Sequence, residues 1–572
     1  MADDEGKLTK PNVLYIITHD QGIGASIYAP YGSSAGEKMV SPNLDAVAKQ
    51  GAMLTTHFGT APQCSPARGS LITSMHPHVN GLIGLTHRGF ELDDKKKTVL
   101  HHFINNGYKT KLIGFQHEIQ GDPSEIGYQE TEGANYGRDC HVLLPEIKRS
   151  LEKIKDDNGK DQSWWLTIGL KEVHLSWESW TKEEKWFAPE DVDVPGYLPD
   201  TPMVRKHLGS LFAVIKNYDH FVGEVMNYVE ELDLKEETIV VITTDHGIAH
   251  PRAKGTLYDP GNHDLMIWRN PSRIPGGKKV HSLLSSIDFA PTICEMCGIG
   301  PNPDFMGKTY SMVLKSPELE ENTVINEYIF TELTYHDVYN PMRSIRSKRF
   351  KYIKIYEPEK VPLIKSIPSD IQRTPSFREW VRVGHNTTRD AEEFYDLETD
   401  PLEEHNLAMK NPDHPELIRL KGIMDDFLKA TNDAILEGPY LPPDGVNINN
   451  AEDFEHLPKF FVVTKGILNL DEDGLVALKM QLSPNNPMLY NIPAIEFLEE
   501  FLEVPVELIT PDGTAKGSFT TSEGASLVFN DAQEKSQVKF SECLSEMLGK
   551  NVSLTVTRYR DDEPFTIKFK YK

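Results

Sequence analysis

The 572-residue sequence predicts an α/β protein carrying a smaller antiparallel-sheet subdomain and a C-terminal β-rich accessory domain. Short continuous runs of apolar and β-branched residues recur at Val13–Thr18, Lys111–Gly114, Trp164–Leu170 and Thr238–Thr244, each followed by ionisable residues. Such runs are the pattern of strands buried on both faces of a parallel sheet. The stretches between them are long enough for helical crossovers, which makes βαβ alternation the reading for residues 10 to 300. Beyond about Tyr328 the runs shorten, and that change predicts the second sheet.

Taken in order, Pro11-Asn12 introduces the first strand, whose carboxyl end carries His19-Asp20-Gln21. Pro42–Gln50 has helical spacing and is closed by Gly51 as a C-cap signal. Pro66–Thr73 predicts a helix beginning just after Cys64, which places that residue near a positive helix end. Leu208–Leu232 fits a long amphipathic helix leading into the strand at Thr238. In the smaller sheet Ser344–Lys354 reads as a single strand, and Pro415–Thr431 reads as a helix. Gly438–Gly445, rich in proline, reads as a linker. Asn551–Thr557 and Pro564–Tyr571 read as strands around an Arg-Asp-Asp-Glu turn. The domain boundaries that follow are 1–325 for the α/β domain, 326–437 for the smaller subdomain, and 438–572 for linker and accessory domain.

Composition narrows the function classes. A net charge of -26 disfavours nonspecific nucleic-acid binding and repels polyanions at long range, so an anionic substrate needs a local cationic pocket. No stretch approaches the roughly 18 uninterrupted apolar residues of a membrane span. Met1–Lys7 lacks the basic start and apolar core of a secretory signal, so the expectation is cytoplasmic residence. Five scattered cysteines do not make a disulfide framework, and Cys294 and Cys297 read as two thiols of an apolar helix because no second pair completes a zinc site.

The chemistry centres on Gln63-Cys64-Ser65-Pro66-Ala67-Arg68-Gly69-Ser70. Two strand ends add Thr18-His19-Asp20-Gln21-Gly22 and Thr244-Asp245-His246-Gly247. Carboxylates from separate strands, converging at one sheet edge, supply the oxygen ligands a hard divalent cation prefers. An Asp at either place also serves as an ordinary turn or cap acceptor.

Together these segments resemble the type I sulfatases, in which the cysteine of Cys-x-Pro-x-Arg is oxidised to formylglycine. The match runs from Pro11 to about Ala408 and ends in Tyr395-Asp396-Leu397-Glu398-Thr399-Asp400-Pro401. The resemblance implies an alkaline-phosphatase-like α/β domain followed by a smaller sheet. It also implies a nucleophile derived from Cys64: a geminal diol attacks sulfur with one hydroxyl, and the other then expels sulfate by breaking a carbon–oxygen bond. Arg68 holds the diol's charge, His174 or Lys254 protonates the leaving group, and His117 takes the remaining diol proton. The implied metal set is Asp20, Asp245, His246 and the modified Cys64, with His19 and Gln21 as further candidates; calcium is the first expectation, with magnesium, manganese or zinc as alternatives.

Two positions depart from the family pattern. His19 stands where an aspartate is usual, which lowers the negative charge offered to a hard cation, and Phe115 stands where a lysine usually meets sulfate. Anion recognition then falls on Arg68, Lys254 and the metal, with Phe115 as a wall for the leaving group or as core packing. His78 reads as a packing or capping residue.

Within the family, Ser65–Thr73, Tyr339–Ser344 and Thr374–Arg378 are most similar to the heparan N-sulfatase (sulfamidase) branch. That likeness implies a sulfated sugar, with N-sulfated glucosamine of heparan or heparin type as the favoured substrate. His336 and Arg343 are the candidates for contacting it from the smaller sheet, beside Tyr335 and Asp337. A formylglycine-generating maturation enzyme is the implied partner. Two alternatives share the residues: a phosphate or phosphonate monoester hydrolase of the same superfamily, and a degenerate sulfated-glycan-binding protein.

Overall fold

The computed structural model describes residues 10–31, 38–134, 136–137, 139–158, 161–177, 191–300, 302–317, 319, 322–359, 361, 366–382 and 389–449, and the backbone of nine strands between residues 465 and 569. Met1–Lys7 and the Arg-Asp-Asp-Glu turn lie outside the described residues. The chain divides into two compact units, Met1–Asp453 and Phe454–Lys572.

The strands of the first unit begin with β1 (Asn12–Thr18), β2 (Ala52–Leu54), β3 (His57–Phe58), β4 (Lys109–Gly114) and β5 (Glu130–Glu132). They continue with β6 (Trp164–Gly169), β7 (Thr238–Thr244), β8 (Met266–Arg269), β9 (Lys278–Val280) and β10 (Leu284–Ser285). Eight of these form one sheet in the order β5-β4-β6-β1-β7-β8-β2-β9, while β3 pairs with β10. Only β8 runs against the others in the large sheet.

The apolar runs become strands because both of their faces are covered. Leu14 and Ile16 of β1, Leu166 and Ile168 of β6, and Val240 and Ile242 of β7 enter one core. Val13, Tyr15 and Ile17, Trp165, and Ile239 and Val241 enter the other. This strict alternation is the two-residue period of a strand placed between two helical layers. One layer is supplied by the helices Pro42–Lys49, Leu144–Asn158 and Pro202–Glu231. The other is supplied by Cys64–Thr73, Val99–Asn105 and Phe289–Met296. Cys294 and Cys297 are buried free thiols in that second layer.

Register sets up the site. β1 lies between β6 and β7, with Ile17 opposite Gly169 and Thr18 opposite Thr244. The chain segments leaving β1 and β7 therefore emerge side by side at the carboxyl edge, where ligands of open α/β sheets gather. Gly169 is required by a close approach, since a Cβ there would fall 1.7 Å from the Phe115 carbonyl oxygen.

The smaller sheet has the order β11 (Ile329–Tyr335), β12 (Tyr339–Arg346), β13 (Phe350–Ile355) and β14 (Glu392–Asp396), all antiparallel. Ser344–Lys354 is thus two strands and not one. Ser347 closes the hairpin, its N–H donating to the Phe350 carbonyl at 2.8 Å and its Oγ accepting from Phe350 N–H at 2.9 Å. Ile345, Tyr352 and Phe394 pack one face of the sheet on Leu417, Leu420, Met424 and Leu428 of the helix Pro415–Ala430. Within 438–445, Tyr440 is bonded to Tyr339, Tyr335 and Asp433 of the first unit. In the second unit the nine strands form one sheet, antiparallel except where Lys465–Leu470 meets Phe565–Phe569.

Candidate active site

The helix Cys64–Thr73 is buried along its whole length, and Cys64 is its first residue. No side chain caps that end, so the Cys64 side chain sits in the positive field of the unpaired N–H groups. Arg68, one turn on, projects from the same face. Burial pushes the Cys64 thiol up, against the pull of Lys254 and His246.

Asp20 follows β1 in a left-handed conformation (φ 59°), which aspartate tolerates better than most residues. Its N–H donates to Asp245 Oδ1 at 2.9 Å, which ties the two strand ends together. Lys254 Nζ donates to Asp20 Oδ2 at 2.6 Å, and His246 Nε2 lies 3.0 Å from Asp20 Oδ1 and 3.3 Å from Cys64 Sγ. Burial alone would raise the Asp20 carboxyl, but Lys254, His174 and His246 hold it well below the usual range. Burial alone would likewise lower Lys254 and His246. Asp20 and Asp370 hold Lys254 up, and Asp245 and Asp20 do the same for His246. His246 Nδ1 donates to the Gly247 carbonyl at 2.9 Å, which leaves Nε2 turned to Asp20 and Cys64, within the cluster where the sequence placed it.

Arg68 is fully buried. Its Nε donates to Asp245 Oδ2 and its Nη2 to the Thr18 carbonyl, each at 2.9 Å. Nη1 has no hydrogen-bond partner, with Glu118 Oε1 3.9 Å away. The guanidinium also lies 5.5 Å from the centre of the Phe115 ring, so Phe115 acts as a cation–π wall.

His19 is buried against Phe115 and His174, with ring centres 5.2 and 4.7 Å away. Burial holds it well below the ordinary histidine range, so the ring is neutral. Its Nε2 makes no hydrogen bond and lies 3.2 Å from Asp245 Oδ2. Ligand atoms of His19, Asp20, Cys64 and Asp245 all lie within 4.8 Å of one another. Two carboxylates, an orphaned imidazole nitrogen and the Cys64 side chain thus form a donor set that fits a divalent cation, and the imidazole opens it to metals softer than calcium.

His174 is 31% exposed at the mouth of the cluster. Its Nδ1 donates to the Leu175 carbonyl at 2.8 Å, and its Nε2 lies 3.5 Å from Lys254 Nζ. His117 Nε2 lies 3.0 Å from His87 Nδ1; burial, helped by Arg68, lowers His117 to about 3.

Sequence reasoning missed Asp370, which accepts from Lys254 Nζ at 2.8 Å and lies 3.6 Å from His174. It also missed Glu118 and His87. Asp370 sits in Ile367-Pro368-Ser369-Asp370, a loop without a chemical signature. Other expected residues serve the scaffold. The Gln21 amide donates to the Gly24 carbonyl and accepts from Thr18, so it folds its own loop rather than facing the metal cluster. Arg343 is 2% exposed and is paired through Nε and Nη2 with Asp433 at 2.6 and 3.1 Å, with Nη1 on three further acceptors; it offers no donor to a sugar. His78 is held by Glu332 and Thr431, a structural role. His336 is buried beside Asp337, which is paired with Arg88 and the Ser369 N–H.

Fold and cluster define a class: an alkaline-phosphatase-like α/β hydrolase with a buried anion site at the carboxyl edge of its sheet. The chain belongs to the sulfatase family, whose model matches residues 11–299. A second model, N-sulphoglucosamine sulphohydrolase C-terminal, matches residues 247–372. The chain is 26% identical over 473 residues to an ulvan-active sulfatase of Formosa agariphila, covering 74% of this chain and 76% of that one. It is 26% identical over 485 residues to human N-sulphoglucosamine sulphohydrolase, covering 76% and 92%. A solved structure described as in complex with its substrate D-glucosamine-2-N,6-O-disulfate shares the fold, with a TM-score of 0.55 and 16% identity over 75% of this chain and 99% of that one. The protein is accordingly a hydrolase of sulfate esters or sulfamates acting on sulfated sugars, in a family that uses formylglycine and a divalent metal. No helix among the described residues is long and apolar enough to cross a membrane.

Proposed function

We propose that the chain is a sulfamidase that cleaves the N-sulfate of a glucosamine unit, with Cys64 matured to formylglycine by a dedicated generating enzyme. The carrying observation is the convergence of Cys64, Asp20, Asp245 and His246 with the buried cations Arg68 and Lys254 at one sheet edge. A sulfate there meets positive charge without water to screen it.

Hydrated formylglycine would supply the attacking hydroxyl, and Asp20, Asp245, His19 and the Cys64 position would hold a divalent metal that would add positive charge against the sulfate. The remaining work belongs to the side chains. Arg68 Nη1, buried without a partner, is the donor left over for a sulfate oxygen. Lys254 is held in the same cluster by Asp20 and Asp370. A sulfamate nitrogen leaves poorly as an anion, so this substrate class demands a proton donor at the site mouth. His174 meets that demand: its Nδ1 is anchored on Leu175 and its Nε2 faces the cluster. His117, held neutral by burial, is a base for the diol proton. The match of residues 247–372 to the sulphoglucosamine family, with Lys254, His336 and Asp370 inside it, supports the substrate choice.

The test pairs mass spectrometry of the Gln50–Arg68 tryptic peptide, from protein co-expressed with a maturation enzyme, with turnover of N-sulfoglucosamine, glucosamine 6-sulfate and an aryl phosphonate. Formylglycine at Cys64 and preference for the N-sulfate are expected. Unmodified cysteine with full activity in Cys64→Ala overturns the mechanism, and preference for another ester overturns the substrate.

A further inference from the structure

We propose that His141, His220 and Glu224 form a second divalent-cation site of the zinc class on the surface of the first unit, apart from the catalytic cluster. His220 and Glu224 lie four residues apart on the helix Pro202–Glu231 and so share a face. His141 comes to them from the short helical turn Cys140–Leu143.

The spacing carries the inference. His141 Nε2 lies 3.3 Å from His220 Nδ1 and 3.3 Å from Glu224 Oε2, and the remaining edge, His220 Nδ1 to Glu224 Oε2, is 3.8 Å. Metal–ligand bonds of about 2.0–2.1 Å at the tetrahedral angle place ligand atoms about 3.3 Å apart. Two imidazoles and one carboxylate are also a recurrent protein ligand set for zinc, with water in the fourth position. His220, 71% exposed, and Glu224, 38% exposed, leave that position open to solvent.

Proton placement points the same way. His141 Nδ1 lies 3.1 Å from Asp139 Oδ1 and donates to it. In the neutral ring this leaves the lone pair of Nε2 directed at a second imidazole nitrogen and a carboxylate oxygen. A cation at the centre takes the place of the proton shared between His141 Nε2 and His220 Nδ1 and bonds all three ligand atoms. Asp139 then plays the part of the carboxylate that orients a metal-binding histidine from behind.

The site joins the turn at residue 140 to the long helix. That turn also supports the catalytic edge, since Cys140 N–H donates to Glu172 Oε1 at 2.8 Å and the Glu172 carbonyl accepts from His19 N–H at 2.7 Å. A metal here fixes the support beneath His19 without touching the catalytic cluster.

The experiment titrates zinc into the full chain in excess calcium, comparing wild type with His220→Ala and Asp139→Asn by bound-metal analysis and thermal melting. Wild type is expected to bind one zinc more than His220→Ala, and to gain a zinc-dependent rise in Tm that His220→Ala lacks. Asp139→Asn is expected to keep the site with about 10–100-fold weaker affinity. His220 is largely solvent-exposed, so the zinc-free variant is expected to melt like wild type. Equal zinc stoichiometry and an equal Tm shift in wild type and His220→Ala overturn the proposal.

Discussion

Arg68 brings a charge where water does not reach, and its three donor positions are unequal: Nε and Nη2 are committed to Asp245 and the Thr18 carbonyl, while Nη1 is unclaimed. A lysine ammonium has three donors on a single nitrogen, and that compact group cannot span acceptors set around a planar fork as the guanidinium does. Arg68→Lys is therefore expected to lower kcat/KM by about 10²–10³, the loss typical of one preorganised donor to a developing anion. Unchanged steady-state turnover of an aryl sulfate would contradict the role. His250 makes a different prediction. It is buried beside Trp177 with neither ring nitrogen hydrogen-bonded, and burial alone lowers it to about 3. Its folded value lies below the unfolded 6.5, so its contribution to stability is complete above pH 6.5 and drains away as pH falls toward 3. His250→Phe is expected to narrow the gap in unfolding free energy between pH 7 and pH 5 by about 2 kcal/mol, whatever packing change is common to both. Denaturant unfolding at the two pH values measures this, and an unchanged gap refutes it. Cys64, Arg68, Asp20 and Asp245 were legible in the sequence because each sits in a run whose neighbours fix its place. Asp370 was not, because its partner Lys254 lies 116 residues away and its own loop carries no pattern.

Arg343 shows the limit of reading one strand at a time. In the sequence it is a cation of the smaller sheet and a candidate contact for the sugar, and only Asp433, ninety residues later, reveals it as a bolt between β12 and the chain following the helix Pro415–Ala430. Removing one partner of a fully buried, hydrogen-bonded pair leaves an uncompensated charge, at a cost of about 3–5 kcal/mol. Arg343→Ala is expected to lose that much stability while the folded fraction keeps a KM within about twofold of wild type. A large KM increase at unchanged Tm would restore its sugar-binding role. Among the strands, β1, β6 and β7 were readable because six or seven consecutive apolar or β-branched residues leave few alternatives. β2, β3 and β10, of three, two and two residues, are too short to show any period. The reversed direction of β8 was equally invisible, since a strand buried on both faces reads alike either way. The hairpin at Ser347 escaped notice because Ser-Lys-Arg contains no glycine, proline or asparagine, and the turn is held by the Ser347 hydroxyl instead.

The whole molecule works against its own site in one respect. A chain with 86 acidic and 60 basic residues carries a charge of -26, whereas its substrates are sulfated sugars and hence anions. The cations that receive sulfate, Arg68 and Lys254, are buried and paired with Asp245, Asp20 and Asp370, so little of their field projects outward. Approach is then governed by the net field and capture by the buried donors. At 0.01 M salt the Debye length of about 30 Å lets the net charge act across most of the approach; at 0.15 M it shrinks to about 8 Å. The value of kcat/KM is therefore expected to rise between these ionic strengths, more steeply for a sulfated tetrasaccharide than for a monosaccharide, while kcat stays nearly constant. Initial-rate measurements across a salt series test both parts. A fall in kcat/KM with salt would mean that an outward cationic surface, not the buried pair, steers the substrate, and the greater steepness for the longer substrate separates long-range repulsion from salt effects on the chemical step.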